Sequence, residues 1–260
     1  MIIPFFKAHG AKNDFLLTWI GEAPARDQVE IARAICDRHT GVGADGWMLV
    51  RPPDPEAEAS IRLFNSDGSE AELSGNGTRC AAALLVQEWH AASEINIVTG
   101  AGLKRLRLVS RDENRYLLEM NMGKPEVIDL YLPLLSREVT VLDVGNPQCA
   151  VFVEDFDWDW RELGTELESH PHFPKKTNVS FIHALDGHTI DVRFFERGAG
   201  ETMSSGTGST GAAAAAIARG LVSSPVTVKT AAGDLQIDWQ GDQAMLTGPA
   251  EIVAKGEFYL

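Results

Sequence analysis

The chain has 260 residues, of which 44% are hydrophobic, so it can bury a sizeable core in one large domain or in two of ordinary size. Its formal charge of -14 has the wrong sign for a protein that binds nucleic acid or anionic lipid, and neither partner is expected. No apolar run approaches the roughly 18 residues of a membrane span, and the N-terminal segment lacks the basic region of a signal peptide. We therefore expect a cytoplasmic protein.

Short segments rich in alternating apolar residues predict strands along most of the chain. The segment VEIARAICDRHTG (29–41) predicts a helix, and the alanine-rich segments after Gly75 and Gly206 predict two more, the second ending at Gly220. The strand-like segments are, in chain order, 61–63, INIVTG (95–100), LKRLRLVS (103–110), RYLLEMNMG (115–123), 190–194, PVTVKTA (225–231) and DLQIDW (234–239). The fold class that follows is α+β.

An internal repeat relates the two halves of the sequence. The segment IRLFNSDGSEAELSGNGTRCAAA (61–83) aligns with VRFFERGAGETMSSGTGSTGAAA (192–214), so that Ser74 falls on Ser205 and Asn65 on Glu196. A period this long indicates two copies of a domain. We predict two similar pseudo-symmetric α/β domains, each a curved sheet around a central helix. They comprise residues 1–118, to which a strand at 252–260 is expected to return, and residues 119–251.

Each repeat places a serine and two glycines at the start of its alanine-rich helix, Ser74 before GNG and Ser205 before GTG. A helix N-terminus exposes unpaired N–H groups and a partial positive charge, and glycine lets an anion approach that backbone closely. Two such termini, related by duplication, predict a site for one carboxylate. The alternative is that both serines are ordinary N-caps.

Other functions and sites are less well supported by the sequence. The segment GTGSTG (206–211) satisfies the G-x-G-x-x-G pattern of dinucleotide-binding loops, but its duplicate GNGTRC lacks the third glycine. The neighbouring strands also do not alternate with helices as a doubly wound sheet requires. The three cysteines, Cys36, Cys80 and Cys149, have no metal-binding spacing, which indicates small buried residues and no metal site. An amino-acid-binding protein without turnover is a further alternative.

Seven motifs resemble those of the diaminopimelate epimerases, a family of cofactor-independent amino-acid epimerases. The motifs are HGAKNDF, TGVGADG, FNSDGSEAELSGNGTRC, VGNPQC, TNVSF, ERGAGETMSSGTGSTGAA and TGPAE. The resemblance covers essentially the whole chain and implies an active site in a cleft between two domains. It implies an isomerase that converts LL- to meso-diaminopimelate for lysine and peptidoglycan synthesis by proton transfer at Cα. It also implies a small amino-acid substrate and no cofactor. We expect the chain to form a homodimer.

By resemblance, ten residues bind the substrate: Asn13, Asn65, Gly75, Asn76, Asn146, Asn178, Glu196, Arg197, Gly206 and Thr207. Asparagine donates and accepts hydrogen bonds, so a group of asparagines suits the ammonium and carboxylate of a zwitterion. The Arg197 guanidinium suits a distal carboxylate, which it can bind bidentately. Asp67 and Arg79 are interpreted as structural.

The catalytic positions depart from the family pattern. Ser74 and Ser205 stand where the family has its two acid/base cysteines, and Gln148 stands where it usually has a histidine beside the first; Glu196 remains to serve the second. A thiol has a pKa near 8.5 and an alkyl hydroxyl has a far higher one, so the serine base is on the order of 10 kcal/mol harder to generate. We expect a catalytically impaired form.

Two origins of the serines stay open. One is that both cysteines were replaced deliberately. The other is that the chain is a divergent relative, which acts as another amino-acid racemase or as a hydroxyproline dehydratase. Dehydration requires unequal chemistry on the two faces of the substrate.

Overall fold

The computed structural model describes residues 1–52, 57–89 and 93–260. Within it the chain forms two units, unit 1 with Met1–Met120 and Gly248–Leu260, and unit 2 with Asn121–Thr247. The sequence-based expectation places the corresponding boundaries after residues 118 and 251. No helix in these described ranges is both long enough and apolar enough to cross a membrane.

Strands make up most of both units. They are β1 (Ile2–Gly10), β2 (Asn13–Trp19), β3 (Gly46–Arg51), β4 (Ala59–Asn65), β5 (Glu70–Ala71), β6 (Glu94–Thr99), β7 (Gly102–Asp112), β8 (Arg115–Asn121), β9 (Glu126–Leu134), β10 (Arg137–Asp143), β11 (Pro147–Phe152), β12 (Asn178–Asp186), β13 (Thr189–Glu196), β14 (Gly200–Thr202), β15 (Val226–Thr230), β16 (Gly233–Gln240) and β17 (Gln243–Tyr259). The helices are α1 (Gln28–Cys36), α2 (Gly75–Trp89), α3 (Trp160–Glu168) and α4 (Gly206–Ala218), with a short 3-10 turn at Ile20–Glu22.

The two units have the same order of strand pairing. In unit 1, β1 pairs antiparallel with β2 and with the C-terminal part of β17, and β2 pairs parallel with β3. Strand β4 is antiparallel to β3 and β5 and parallel to β6, and β6, β7 and β8 continue antiparallel. Unit 2 repeats every step. Strands β10 to β16 correspond in order to β1 to β7. Strand β9 corresponds to the C-terminal part of β17, and the N-terminal part of β17 corresponds to β8. The α+β class and the duplication are therefore confirmed.

Each unit has one helix that is buried along most of its length. Every residue of α2 from Gly75 to Val86 is buried, and α4 is buried at nearly every position up to Ala216. Helices that are apolar on all sides belong in a core, and alanine and glycine let strands approach closely. Helix α4 ends where the sequence predicts, because Gly220 has a φ of 71° and its N–H donates to the Ile217 carbonyl.

A second core in each unit lies under a shorter helix. Helix α1, which the sequence predicts, packs its Ile31 and Ile35 against Trp47 and Phe64. Helix α3 packs Trp160 and Leu167 against strand residues such as Phe181 in unit 2. The sequence analysis missed α3, since most of its residues are polar and only its inner face is apolar. The Asp159 side chain, which accepts the Arg161 N–H at its start, is the local signal that was available.

A buried hydrogen bond between β2 and β3 provides a test of this packing. The Trp47 indole N–H donates to the Thr18 hydroxyl (3.0 Å), which donates to the Pro4 carbonyl (2.9 Å). Thr18→Val removes both bonds and leaves buried polar groups unpaired, so we expect the free energy of unfolding in urea to fall by about 1–3 kcal/mol. Thr165→Val, at an exposed position of α3, is the control. Equal losses in the two variants would contradict this account.

Candidate functional site

The N-terminus of α2 is capped by Ser74. The Ser74 Oγ accepts the Gly77 N–H at 3.1 Å, and the Ser74 carbonyl accepts the Thr78 N–H at 2.8 Å. A Cβ on Gly77 would lie 2.8 Å from the Met48 Cε, so α2 packs closely against β3 at this glycine. Ser74, Gly75, Asn76 and Asn13 are called half-site 1 below.

The N-terminus of α4 repeats this geometry. The Ser205 Oγ accepts the Gly208 N–H, again at 3.1 Å. A Cβ on Gly208 would lie 2.8 Å from the Phe194 Cδ1 of β13, so this glycine also serves close packing. Both serines are therefore N-caps, and the GTGSTG segment forms the first turns of α4 rather than a loop before a helix. That placement argues against the dinucleotide-binding alternative. Ser205, Gly206, Thr207 and Glu196 are called half-site 2.

The two asparagines of half-site 1 are held by a chain of hydrogen bonds. The Asn76 Nδ2 donates to the Asn13 Oδ1 (3.2 Å), and the Asn13 Nδ2 donates to the Asp45 Oδ2 (2.7 Å). At the other end, Arg79 donates to the Asn76 Oδ1 at 2.5 Å. The sequence analysis did not assign Asp45, although it lies in the TGVGADG motif, and treated Arg79 as structural.

An ion-pair cluster supports Asp45. Arg38 contacts carboxylate oxygens of both Asp14 and Asp45, at 2.7 and 2.8 Å, and Lys7 contacts Asp14 at 3.1 Å. Burial acts to raise the pKa of Asp14, but hydrogen bonds from Arg38 and Lys7 outweigh it and hold that pKa below its ordinary value. The cluster therefore keeps Asp14 ionised, and Asp45 holds Asn13 in one orientation.

Asn65 stands apart from these residues. It is exposed at the end of β4, and its Nδ2 donates to the Ser69 Oγ at 2.9 Å. Asp67 accepts both the N–H and the Oγ–H of Ser69, so its carboxylate holds the turn that follows β4. Within the described part of unit 1, no hydrogen bond joins Asn65 to Ser74, Asn76 or Asn13.

Half-site 2 contains a half-buried acid, Glu196, at the position where unit 1 has Asn65. The Ser205 hydroxyl donates to the Glu196 Oε1 at 2.5 Å. Burial raises the pKa of the Glu196 carboxyl above its ordinary value, although the hydrogen bond from Ser205 opposes that shift. A carboxyl that can exchange a proton with residue 205 is thus present in unit 2, while the equivalent residue of unit 1 is an amide.

Two further asparagines of unit 2 lie beside α4 and β13. Asn146 accepts from the Gln148 Nε2 (2.7 Å) and donates to the Thr207 Oγ1 (3.4 Å). Asn178 accepts the Arg197 backbone N–H at 3.0 Å and so holds the residue after Glu196 in place. The buried Gln148 Oε1 lacks a hydrogen-bond partner within the described residues.

The Arg197 side chain is exposed, and its turn is held by a buried glutamate. The Arg197 Nη1 donates to the Lys175 carbonyl (3.2 Å), and no carboxylate of the described residues lies within 4.0 Å of its guanidinium. The Glu168 Oε1 accepts the Gly198 N–H and a hydrogen bond from Lys176, both at 3.1 Å. Sequence analysis missed Glu168 because it missed α3, which carries this residue at its C-terminal end.

The described residues contain no group of three or more His, Cys, Asp or Glu side chains arranged to hold a metal. Cys36, Cys80 and Cys149 are all buried, and burial raises the pKa of each thiol to about 12. These thiols remain protonated and unreactive at neutral pH.

Solved structures with this architecture come from several enzyme families. A phenazine biosynthesis protein of the PhzF family from Bacillus anthracis has a TM-score of 0.77 at 16% identity, with both chains covered completely. A hydroxyproline epimerase from Agrobacterium vitis has a TM-score of 0.74 at 17% identity, over 98% of this chain and 92% of that one. At such identities the similarity shows the fold alone.

Sequence comparison defines the class of protein as an isomerase, of the epimerase type. The family model named diaminopimelate epimerase matches residues 5–128 and 140–253. A diaminopimelate epimerase from Pelotomaculum thermopropionicum is 38% identical over 98% of each chain, and one from Halothermothrix orenii is 36% identical over 100% of this chain and 99% of its own. The chain belongs to the diaminopimelate epimerase family.

The raised pKa of Glu196 predicts a pH-dependent stability. The folded state keeps this carboxyl protonated to a higher pH than the unfolded state does, so its contribution to stability is present at low pH and is lost as the pH rises through the folded pKa. Glu196→Gln removes that loss. Relative to the unsubstituted protein, we expect the variant to gain stability between pH 4 and pH 8, measured by urea unfolding. The exposed Glu166→Gln should show no such trend, and parallel profiles would refute the assignment.

Proposed function

We propose that the protein is a diaminopimelate epimerase that interconverts the LL and meso forms for lysine and peptidoglycan synthesis. The observation that carries this proposal is the pair of matched half-sites, each with a hydroxyl at the N-cap of a buried helix. Inverting a stereocentre requires one group to remove the Cα proton and another to deliver a proton from the opposite face. The full-length similarity to relatives named diaminopimelate epimerase supports the choice of substrate.

The proposal gives each half-site a distinct role. Positions 74 and 205 act as the two acid/base groups, and Glu196 exchanges a proton with residue 205 through their 2.5 Å hydrogen bond. Backbone N–H groups at the starts of α2 and α4 bind the α-carboxylate and stabilise the negative charge that develops in the transition state. Arg197 binds the distal carboxylate, for which its guanidinium is free of any ion pair within the described residues.

The substrate-binding asparagines complete the proposed site. Four of these amides are held by hydrogen bonds. Asn13 and Asn76 are held by Asp45 and Arg79, and Asn146 and Asn178 by hydrogen bonds within unit 2. Fixed amides bind a zwitterion without the entropic cost of ordering them. The proposal further includes a cytoplasmic location and assembly as a homodimer, which analytical ultracentrifugation would measure.

The two serines make this sequence a poor catalyst. The gap of roughly 7 pKa units between a hydroxyl and a thiol corresponds to about 10 kcal/mol, whereas a helix N-terminus contributes at most ~2 kcal/mol. Binding depends on other groups, so we propose that the protein retains affinity for diaminopimelate while turnover collapses.

Deuterium exchange at Cα tests the proposed function. In deuterated water the present sequence should bind diaminopimelate but incorporate deuterium extremely slowly by NMR. Ser74→Cys together with Ser205→Cys should raise the exchange rate by many orders of magnitude, since the surrounding amides and Glu196 are intact. Either substitution alone should help far less, because each direction needs a competent acid and a competent base.

Ser110→Cys with Ser169→Cys, two changes away from both helices, is the matched control and should leave exchange slow. No gain in the double variant at positions 74 and 205 would contradict the proposal. Loss of water from hydroxyproline by the present chain would support the dehydratase alternative instead.

Arg197 gives a separate test of substrate binding. Arg197→Lys keeps the positive charge but loses the bidentate fork, so calorimetry should show diaminopimelate affinity falling roughly tenfold or more. The control is Arg161→Lys. Arg161 is an exposed residue of α3 that pairs with Glu201 of β14, so this change should leave the affinity unchanged. Unchanged binding in the Arg197 variant would count against its role at the distal carboxylate.

A further inference from the structure

Arg79 is a fully buried cation without an acidic partner. It is the fifth residue of α2, and its side chain is 0% exposed. Its guanidinium donates to the Asn76 Oδ1 (2.5 Å) and to the backbone carbonyls of Gly75 and Pro249 (both 3.3 Å). All three acceptors are neutral, and no carboxylate of the described residues forms an ion pair with it. Buried charges are normally paired, so this one requires an explanation.

The charge on Arg79 persists in the folded protein. Burial lowers the pKa of the guanidinium only to about 10, so the group stays protonated at neutral pH. A lysine ammonium in such surroundings readily loses its proton, and arginine is the residue that can keep a charge there. Because the guanidinium contacts the Gly75 carbonyl, the charge lies against the first turn of α2, where it adds to the positive end of the helix dipole.

The second copy of the domain lacks this cation. The repeat places Thr210 at the position of Arg79, and the Thr210 hydroxyl donates to the Gly206 carbonyl at 2.9 Å. Conversely, half-site 2 has the carboxyl of Glu196 where unit 1 has Asn65. The duplication therefore produced half-sites of opposite character, one with a buried cation and one with a half-buried acid.

Other ionisable groups around α2 do not balance Arg79. Those on α2 itself and on β1, β2 and β6 are Lys7, His9, Asp14, Cys80, Glu88 and Glu94. Near Pro249, β17 carries Glu251, which pairs with Arg115 at 3.3 Å. Lys7 and Asp14 pair with each other, and Asp14 pairs also with Arg38. Glu88 lies near the C-terminal end of the helix and contacts Lys255. The cation at the start of α2 thus remains uncompensated within the described residues.

We propose that Arg79 is a positioning residue, which stabilises negative charge at the N-terminus of α2 and holds Asn76. Position 74 is then the better site for an anion, and position 205, beside Glu196, is the better site for a proton. This inference rests on the proposed function, since it assigns unequal roles to the two acid/base positions.

The first experiment compares the two positions in an otherwise unchanged chain. Ser74→Cys and Ser205→Cys are made singly, and the pH midpoint of iodoacetamide alkylation is measured, with mass spectrometry to locate the label. The buried native thiols, whose pKa burial raises to about 12, give little background. We expect the midpoint at position 74 to lie at least about one unit below that at position 205. Equal midpoints, or the reverse order, would overturn the proposal.

The second experiment separates charge from hydrogen bonding. Arg79→Gln removes the charge but keeps a donor for Asn76, and Arg79→Met removes both. In the Ser74→Cys background each should raise the alkylation midpoint by about one unit, roughly a tenfold slower reaction at neutral pH. In the Ser205→Cys background neither should change it. A shift with methionine only, or an equal shift in both backgrounds, would show a merely structural role.

Circular dichroism and urea unfolding establish that the Arg79 variants are folded. If they do not fold, the first experiment decides alone, because it leaves Arg79 in place. Neither readout requires turnover. A wrong assignment of Arg79 is therefore seen in the thiol titrations, whereas a wrong assignment of function is seen in deuterium exchange at Cα by the double cysteine variant.

Discussion

The unpaired N–H groups at the start of a buried helix are the constraint on which both units depend. Helices α2 and α4 are surrounded by their own unit, so their first turns must find acceptors without help from bulk water. In each, a serine Oγ accepts one N–H, and a glycine allows the turn to pack directly against a strand. The remaining N–H groups are available to a carboxylate. Under the proposed function, the feature that stabilises the fold is therefore also the one that binds the substrate carboxylate.

The serine N-caps also separate stability from chemistry. Serine is among the best N-cap residues, so the fold has no need of a thiol at either position. Under the proposed function, a thiol suits proton abstraction at these positions far better, because a hydroxyl is too weak an acid to supply the base at neutral pH. On that proposal, a chain with two serines keeps its helices, its amide network and its binding residues while its turnover collapses.

Duplication preserved the backbone while the side chains diverged. The strand pairing is the same in both units, yet Asn65 aligns with Glu196 and Arg79 with Thr210. Hydrogen bonds between strands depend little on side-chain identity, so they tolerate such changes. A change of charge inside the core has a larger effect, since each buried charge alters the free energy of every ionisation near it. Two copies of one domain could in this way acquire different tasks on the two faces of a substrate.

The sequence by itself determined the elements with a strong local pattern and the family. Alternating apolar residues, alanine-rich helices and Gly220 at a helix end can be seen within short windows, and the repeat is found by aligning the two halves of the sequence. Helix α3, the contact of Asp45 with Asn13, the hold of Glu168 on Gly198 and the unpaired Arg79 were decided only by the tertiary structure. Each depends on residues far apart in the chain, and burial, which sets the energy of a charge, is a property that no local pattern records.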